Sequence, residues 1–403
     1  MKIVLAYSGG LDTSIALAWL KNTYKADVVA FCADLGQNED LSKAEDRAQK
    51  NGASAVYIDD LREEFVKNFA FPAMRASALY EQRYHMAASL GRPLISKRLV
   101  EIAEREGADA VAHGATGKGN DQIRFFTSVT ALNPDLKLIA PVMEWDLKTR
   151  SQQIEYATQH GIEIPPFKTS PYSRDSNLWG TSVECGILDE LTESPPDDAY
   201  TLTEAPGNRP AETVEIGFVN SLPTQINGDA YSPVDLVAKL NEIGGRHGIG
   251  RLDIVENRLV GFKVRGVYES PAAEILFQAK RELDALVHER DLLHLLPHLS
   301  QQYGQLIYDG KWFSQSRSAL DHFFAGIAQR ATGIITLELA SGRISVLSRE
   351  ANHSLYNLDI ASYESEEGFD QTAGVGFAYI WAMQGRVAAL RDRKPSKPIS
   401  LAS

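Results

Sequence analysis

Ala6-Tyr7-Ser8-Gly9-Gly10-Leu11-Asp12-Thr13-Ser14 is the stretch on which the fold turns. It follows a short apolar run over residues 2–7 and opens a helical pattern over residues 11–22, with Leu11, Ile15, Ala18 and Trp19 on one stripe. Glycines between a strand and a helix let the backbone approach an anion and turn its N–H groups toward it. The helix N-terminus adds a favourable dipole. Ser8, Thr13 and Ser14 add hydroxyl donors. A glycine pair alone is more often only a tight turn, but the full run at the first strand of an α/β pattern is much rarer by chance. It reads as a phosphate loop. Asp12 inside that loop would repel a phosphate unless a cation lay between them. It reads equally as a Mg²⁺ contact and as a residue that caps or orders the loop.

Outward from the loop, strand and helix patterns alternate through residue 165. Further strands are predicted over 27–35, 53–58, 109–113 and 136–140, and helices over 41–51, 94–106, 121–132 and 148–160. Gly52, Gly107 and Gly161 stop three of these helices. Such alternation predicts an α/β fold, a parallel sheet with helices on both faces, with its ligand beyond the carboxyl ends of the strands. The pattern changes after Pro165-Pro166. Residues 170–188 are small and polar, and residues 194–210 hold four prolines. Strands over 213–218 and 259–264, helices over 233–247 and 271–290, and a hairpin over 334–347 turning at Ser341-Gly342 predict an α+β second domain. A polar linker over 362–374 precedes a helix over 376–393. The expected domains are therefore 1–165, 166–362 and 363–403, the last a helical arm for assembly. Arg386, Arg391, Arg393 and Lys394 crowd the arm's C-terminal half, where cations suit the helix dipole.

Composition narrows the classes. The net charge of −12 argues against a broad nucleic-acid surface. No apolar run reaches the roughly 18 residues of a membrane span, and Ile3-Val4-Leu5-Ala6 is too short for a signal-peptide core. Two distant cysteines, Cys32 and Cys185, with no CxxC, predict a reducing, cytoplasmic setting and two small buried side chains. No metal-ligand cluster is visible. No Gly-Lys-Ser/Thr closes the first loop, so it is not a Walker A loop, and the absence of GxGxxG disfavours a dinucleotide fold.

Three further segments decide among the remaining readings. His113-Gly114-Ala115-Thr116-Gly117-Lys118-Gly119-Asn120-Asp121-Gln122-Ile123-Arg124 again follows a strand and opens a helix, and brings Asn120, Asp121 and Arg124 onto its first turn. Tyr84-His85-Met86-Ala87-Ala88-Ser89-Leu90-Gly91-Arg92-Pro93 is the second. Residues 249–258, from Ile249 to Arg258, followed by Gly266-Val267-Tyr268-Glu269-Ser270-Pro271, make the third, which alone reads only as strands with surface charges. The first loop resembles that of the ATP pyrophosphatases, which hold the β and γ phosphates as a leaving pyrophosphate. The other segments resemble the signatures of the argininosuccinate synthase family, with Ala88 where that family often has threonine. The resemblance runs over nearly the whole chain.

It implies a ligase that joins citrulline to aspartate through a citrullyl-adenylate and releases pyrophosphate and AMP. It implies that Ala6, Tyr7, Ser8, Gly9, Gly10, Leu11, Asp12, Thr13, Ser14, Ala33 and Gly114 contact ATP, with Mg²⁺ as companion. Thr116, Asn120 and Asp121 would hold aspartate. Tyr84, Ser89, Asn120, Arg124, Ser173, Ser182, Glu256 and Tyr268 would hold citrulline. A zwitterionic amino acid needs a cation or hydroxyls for its carboxylate and a carboxylate for its ammonium; Arg124 suits the first, Asp121 and Glu256 the second. A homotetramer with no nucleic-acid or membrane partner is implied as well. No covalent nucleophile is visible, and Asp121, His113 and a phosphate oxygen all stand open as the base for the aspartate amine. The alternatives are a tRNA-modifying ATP pyrophosphatase, which would need a basic docking surface, and a non-catalytic nucleotide sensor, which the intact Ser8, Asp12, Lys118 and Asp121 oppose.

Overall fold

The computed structural model describes residues 1–166, 171–364 and 368–393. Ser170, residues 365–367 of the expected linker over 362–374, and Lys394 lie outside them. The chain forms two compact units, residues 1–353 and 354–403.

The first unit begins with β1 (Lys2–Ala6), α1 (Leu11–Tyr24), β2 (Asp27–Asp34), α2 (Leu41–Lys50) and β3 (Ala55–Asp60). After α3 (Arg62–Phe65), a π-helical turn (Val66–Ala70) and α4 (Phe71–Arg75) come α5 (Ala87–Glu106), β4 (Ala110–His113), α6 (Asp121–Leu132), β5 (Lys137–Ile139), α7 (Pro141–Glu144) and α8 (Arg150–Gln159). The five strands form one parallel sheet in the order β3-β2-β1-β4-β5. Ile3 and Leu5 face one apolar cluster with Ile15, Leu17 and Leu20 of α1; Val4 faces the other with Leu94 and Ile102 of α5. This period-2 division buries both faces, as a parallel sheet requires. The chain winds from β1 out to β3, then returns to the other side of β1 as β4. The order therefore reverses between β1 and β4, the switch point at which open α/β sheets bind ligands.

Several boundaries differ from the sequence reading. α5 starts at Ala87 and runs through Pro93, where the pattern predicts a start after it. Proline there leaves the Ser89 carbonyl, four residues earlier, without its usual helical donor. α1 buries Ile15, Ala16, Leu17 and Leu20, while Leu11, Ala18 and Trp19 are half-buried; the helix is wedged between the sheet and α7–α8, so its buried face is wider than one stripe. Cys32 is buried as expected, but Cys185 is exposed, at a positive-φ turn after a strand.

The rest of this unit holds β6 (Ser173–Asn177), β7 (Gly180–Glu184), β8 (Glu212–Val219), β9 (Leu222–Ile226), β10 (Asp229–Ala230) and α9 (Pro233–Arg246). β11 (Arg251–Asn257), β12 (Lys263–Glu269), α10 (Pro271–Val287), α11 (Arg290–Tyr308), α12 (Gln315–Ala328), β13 (Gly333–Ala340) and β14 (Arg343–Ala351) follow. They build two antiparallel sheets, β10-β9-β8-β13-β14 and β11-β12-β7-β6. The strand expected over 259–264 is mostly turn: Gly261, at φ +92°, donates to the Arg258 carbonyl at 3.0 Å, and the strand begins only at Lys263.

The second unit contains α13 (Leu358–Ala361), α14 (Ala373–Trp381) and α15 (Met383–Asp392). The single helix expected over 376–393 is thus two, parted at Ala382. None of their residues is buried, and Phe377 stacks on Trp381 at 5.5 Å. Among the described residues no helix is long and apolar enough to cross a membrane.

Candidate active site

The first loop leaves β1 and turns at Gly9, whose φ of +71° and tight approach to Ala44 exclude a side chain. Arg47 of α2 donates to the Gly9 carbonyl and pins the turn. Inside it Ser8 Oγ lies 3.2 Å from Thr13 Oγ1, and the Tyr7 hydroxyl 3.0 Å from Ser14 Oγ. α1 then starts without a side-chain cap, which leaves its first N–H groups for an anion. Asp12 lies near Gln153 and Arg150 of α8; burial raises its carboxyl pKa, against the opposing pull of those two groups.

The second glycine loop leaves β4, the strand beside β1, with Ala6 in register with His113. Gly114 abuts Thr13 so closely that a Cβ there would lie 2.7 Å from Thr13 Cγ2. The two loops therefore touch at the switch point. Ala33, on the adjoining β2, accepts from Gln37 at 2.7 Å. His113 is buried, stacks on Phe125 at 5.0 Å, and accepts the Ala115 N–H on Nδ1 at 3.2 Å. Its Nε2 therefore carries the proton and has no partner among the described residues. Burial pushes its pKa down to about 4.

Thr116 and Lys118 are exposed on this loop, whereas Asn120 is buried and accepts the Leu259 N–H on Oδ1 at 2.9 Å. Asp121 is already paired: Arg124 Nη1 donates to Oδ1 at 2.9 Å and Arg92 Nε to Oδ2 at 2.8 Å. Burial would raise its pKa, but the two guanidiniums outweigh burial and hold it below the usual range. Arg124 also donates from Nε to the Tyr308 carbonyl at 3.0 Å and stacks over that ring at 4.9 Å.

The remaining predicted residues gather by strand alternation. Ser182 pairs with both Tyr268 and Asp175, Ser173 with Glu184, and Glu256 with Val264. Because side chains alternate along a strand, Ser173, Asp175, Ser182, Glu184, Glu256 and Tyr268 share one face of the β11-β12-β7-β6 sheet. Tyr84 stacks on Tyr268 at 3.9 Å, and Tyr80 on Tyr308 at 3.4 Å. Between these pairs the buried Glu256 carboxylate accepts the Tyr268 hydroxyl at 2.9 Å and the Tyr308 hydroxyl at 3.0 Å. Burial raises its pKa, and it forms no ion pair with a described residue. Two neutral hydroxyls occupy only two of its roughly four lone-pair sites and bring no charge, so it can still receive an incoming ammonium. Ser89, buried in the first turn of α5, has no partner for its Oγ among the described residues. Ser173 stands exposed at the end of the face.

The second glycine loop and the sheet face are joined by the β11–β12 turn. Arg258 donates to the Lys118 carbonyl at 3.2 Å and pairs with Glu184, while Tyr80 donates to the Asn257 carbonyl at 2.6 Å. Arg92, Asp175, Glu184, Tyr80 and Tyr308 are members of the site that motif reading missed. Arg92 stood inside a quoted segment, but its partners are distant in sequence.

Residues 2–163 match the family model described as the arginosuccinate synthase N-terminal HUP domain, and residues 172–388 the one described as the arginosuccinate synthase C-terminal domain. The argininosuccinate synthase of Rhodococcoides fascians is 48% identical over 386 residues, covering 95% of this chain and 98% of its own. That of Carboxydothermus hydrogenoformans is 48% identical over 398 residues, covering 98% and 99%. A solved chain titled as a predicted subunit of tRNA methyltransferase from Methanocaldococcus jannaschii aligns over 39% of this chain with 16% identity and a TM-score of 0.27, too slight a likeness to carry an argument.

Proposed function

The chain belongs to the argininosuccinate synthase family, and from that membership we propose how its residues divide the work. The enzyme is an ATP-dependent ligase that forms argininosuccinate from citrulline and aspartate, with ATP cleaved to AMP and pyrophosphate. In our reading the β and γ phosphates lie in the Ser8–Ser14 loop at the start of α1. Ala33 and Gly114 flank the nucleotide. Citrulline lies on the sheet face, its ammonium toward Glu256 and its carboxylate toward Arg124 and the hydroxyls of Ser89, Ser173 and Ser182. Aspartate lies at Thr116, Asn120 and Asp121. The observation that supports this division best is Glu256, a buried carboxylate between two tyrosine pairs that feels the charges of Arg124 and Arg258 but forms no ion pair with a described residue.

The ureido oxygen of citrulline attacks the α phosphorus and pyrophosphate leaves. The aspartate amine then attacks the ureido carbon and expels AMP. The chain's own residues act by position and charge. Neither candidate side chain suits the role of base. Two arginines hold the Asp121 carboxyl below its usual range, and His113 has its one basic nitrogen engaged. That favours a phosphate oxygen of the adenylate as the proton's acceptor. Asp12, the one carboxylate in the phosphate loop, fits a Mg²⁺ held jointly with the phosphates, since Mg²⁺ takes one or two carboxylates and keeps the rest as phosphate and water. Bound there, it would neutralise the departing pyrophosphate.

The reading extends to a homotetramer in the cytoplasm. The exposed apolar side chains of α14 and α15 support the first, and two free cysteines are consistent with the second. The test is incubation with ATP, citrulline and aspartate, with AMP, pyrophosphate and argininosuccinate assayed together. Equal amounts of all three, and no AMP without citrulline, are expected. AMP formation that depends on RNA instead would turn the reading toward tRNA modification.

A further inference from the structure

We propose that Arg92 is the positioning residue that ties the two amino-acid subsites together, holding Asp121 and Asp175 as a pair of oriented carboxylates. The inference rests on the division of the site given above.

Arg92 lies on α5 one turn beyond Ser89, with its side chain only 15% exposed. One edge of its guanidinium meets two carboxylates from different parts of the fold. Nε donates to Asp121, the first residue of α6, at 2.8 Å, and Nη2 donates to Asp175 in the middle of β6. Asp175 is the register partner of Ser182, which in turn pairs with Tyr268. The link thus runs from the second glycine loop to the sheet face through one side chain.

The charges make Arg92 hard to replace. Asp121 has a second cation in Arg124, but Asp175 forms no other ion pair with a described residue. Burial and the nearby Asp121 raise the pKa of Asp175, and Arg92 opposes them. Without that guanidinium two neighbouring carboxylates would face each other, and one would take up a proton or turn away. Pairing does not block Asp121 from a ligand. A carboxylate has about four lone-pair sites, and the arginines use two, so an ammonium can still be received in a fixed orientation. Lysine would keep the charge but not the planar edge that addresses two acceptors at once.

The test uses the full chain with Arg92→Lys, Arg92→Gln and Asp175→Asn. Steady-state KM and kcat are measured for ATP, citrulline and aspartate, beside citrulline-dependent isotope exchange within ATP and thermal melting. In Arg92→Gln and Arg92→Lys both amino-acid KM values should rise about tenfold or more, with the ATP KM within about twofold and the smaller change in kcat. Asp175→Asn should raise chiefly the citrulline KM. Combined with Arg92→Gln it should add less than the product of the single effects. Amino-acid KM values within about twofold of the parent in folded Arg92 variants would overturn the proposal. So would a rise confined to ATP. If both Arg92 variants fail to fold, Asp175→Asn decides, and an unchanged citrulline KM overturns it. Failure of the unaltered enzyme to form argininosuccinate would instead remove the underlying division of the site.

Discussion

Gly9 and Gly10 stand side by side in the first loop under different constraints. Gly9 has positive φ, and a Cβ on it would lie 2.7 Å from Ala44 Cβ, so substitution there strains the fold. Gly10 has an ordinary φ of −75° and only Ser8 Oγ near, at 3.4 Å. Gly10→Val should therefore fold with little change in melting temperature yet lose ATP turnover by at least about 100-fold, the cost of one missing anion donor. Near-normal turnover in that variant would refute the phosphate loop. The glycines were visible in the sequence, but which one serves the turn and which the ligand depends on α2, which supplies Ala44 and Arg47. His113 gives a second residue-level expectation. Its pKa is about 4 in the fold, against ~6.5 unfolded. As pH falls, the unfolded chain takes the proton first, so the stability present above about pH 6.5 is lost between there and about pH 4. The shift corresponds to about 3 kcal/mol. His113→Gln should flatten that part of the melting-temperature profile, and an unchanged slope would contradict the buried neutral imidazole.

At the scale of elements, the face of β11-β12-β7-β6 carries the citrulline reading, and Gly266 tests it. A Cβ at this position would lie 2.4 Å from the Tyr268 hydroxyl, so Gly266→Ala must push that ring off Tyr84 and Glu256. Overpacking of this kind costs about 1–3 kcal/mol. Citrulline KM should rise about tenfold or more, with the ATP KM nearly unchanged; a variant with normal citrulline KM would place the substrate elsewhere. The parallel sheet was legible because its central strands are apolar on both faces and three of its helices are followed by glycine. β6 and β7 were not. Ser-Arg-Asp-Ser-Asn and Gly-Thr-Ser-Val-Glu look like loop because one side of each strand lines a polar site. Motif resemblance named Ser173 and Ser182, but pairing between strands distant in sequence is what puts them on one face with Tyr268.

For the whole molecule, the family and its reaction were readable from four motifs spread over the chain, whereas the links among them were not. Arg92, Arg258 and Tyr308 connect segments far apart in sequence, and no local period announces such partners. Assembly belongs to this scale too. No residue of α14 or α15 is buried, and Phe377, Ile380 and Trp381 are each at least 65% exposed. Deleting the chain from Ala373 onward should convert the expected tetramer to smaller species in light scattering, and an unchanged mass would assign those apolar surfaces another role. The central claim is that citrulline itself is adenylylated in this site. It is tested most directly with citrulline labelled with ¹⁸O at the ureido oxygen, incubated with ATP, aspartate and enzyme, followed by mass spectrometry of the AMP. The account predicts one labelled oxygen in each AMP formed; unlabelled AMP alongside normal argininosuccinate would contradict it.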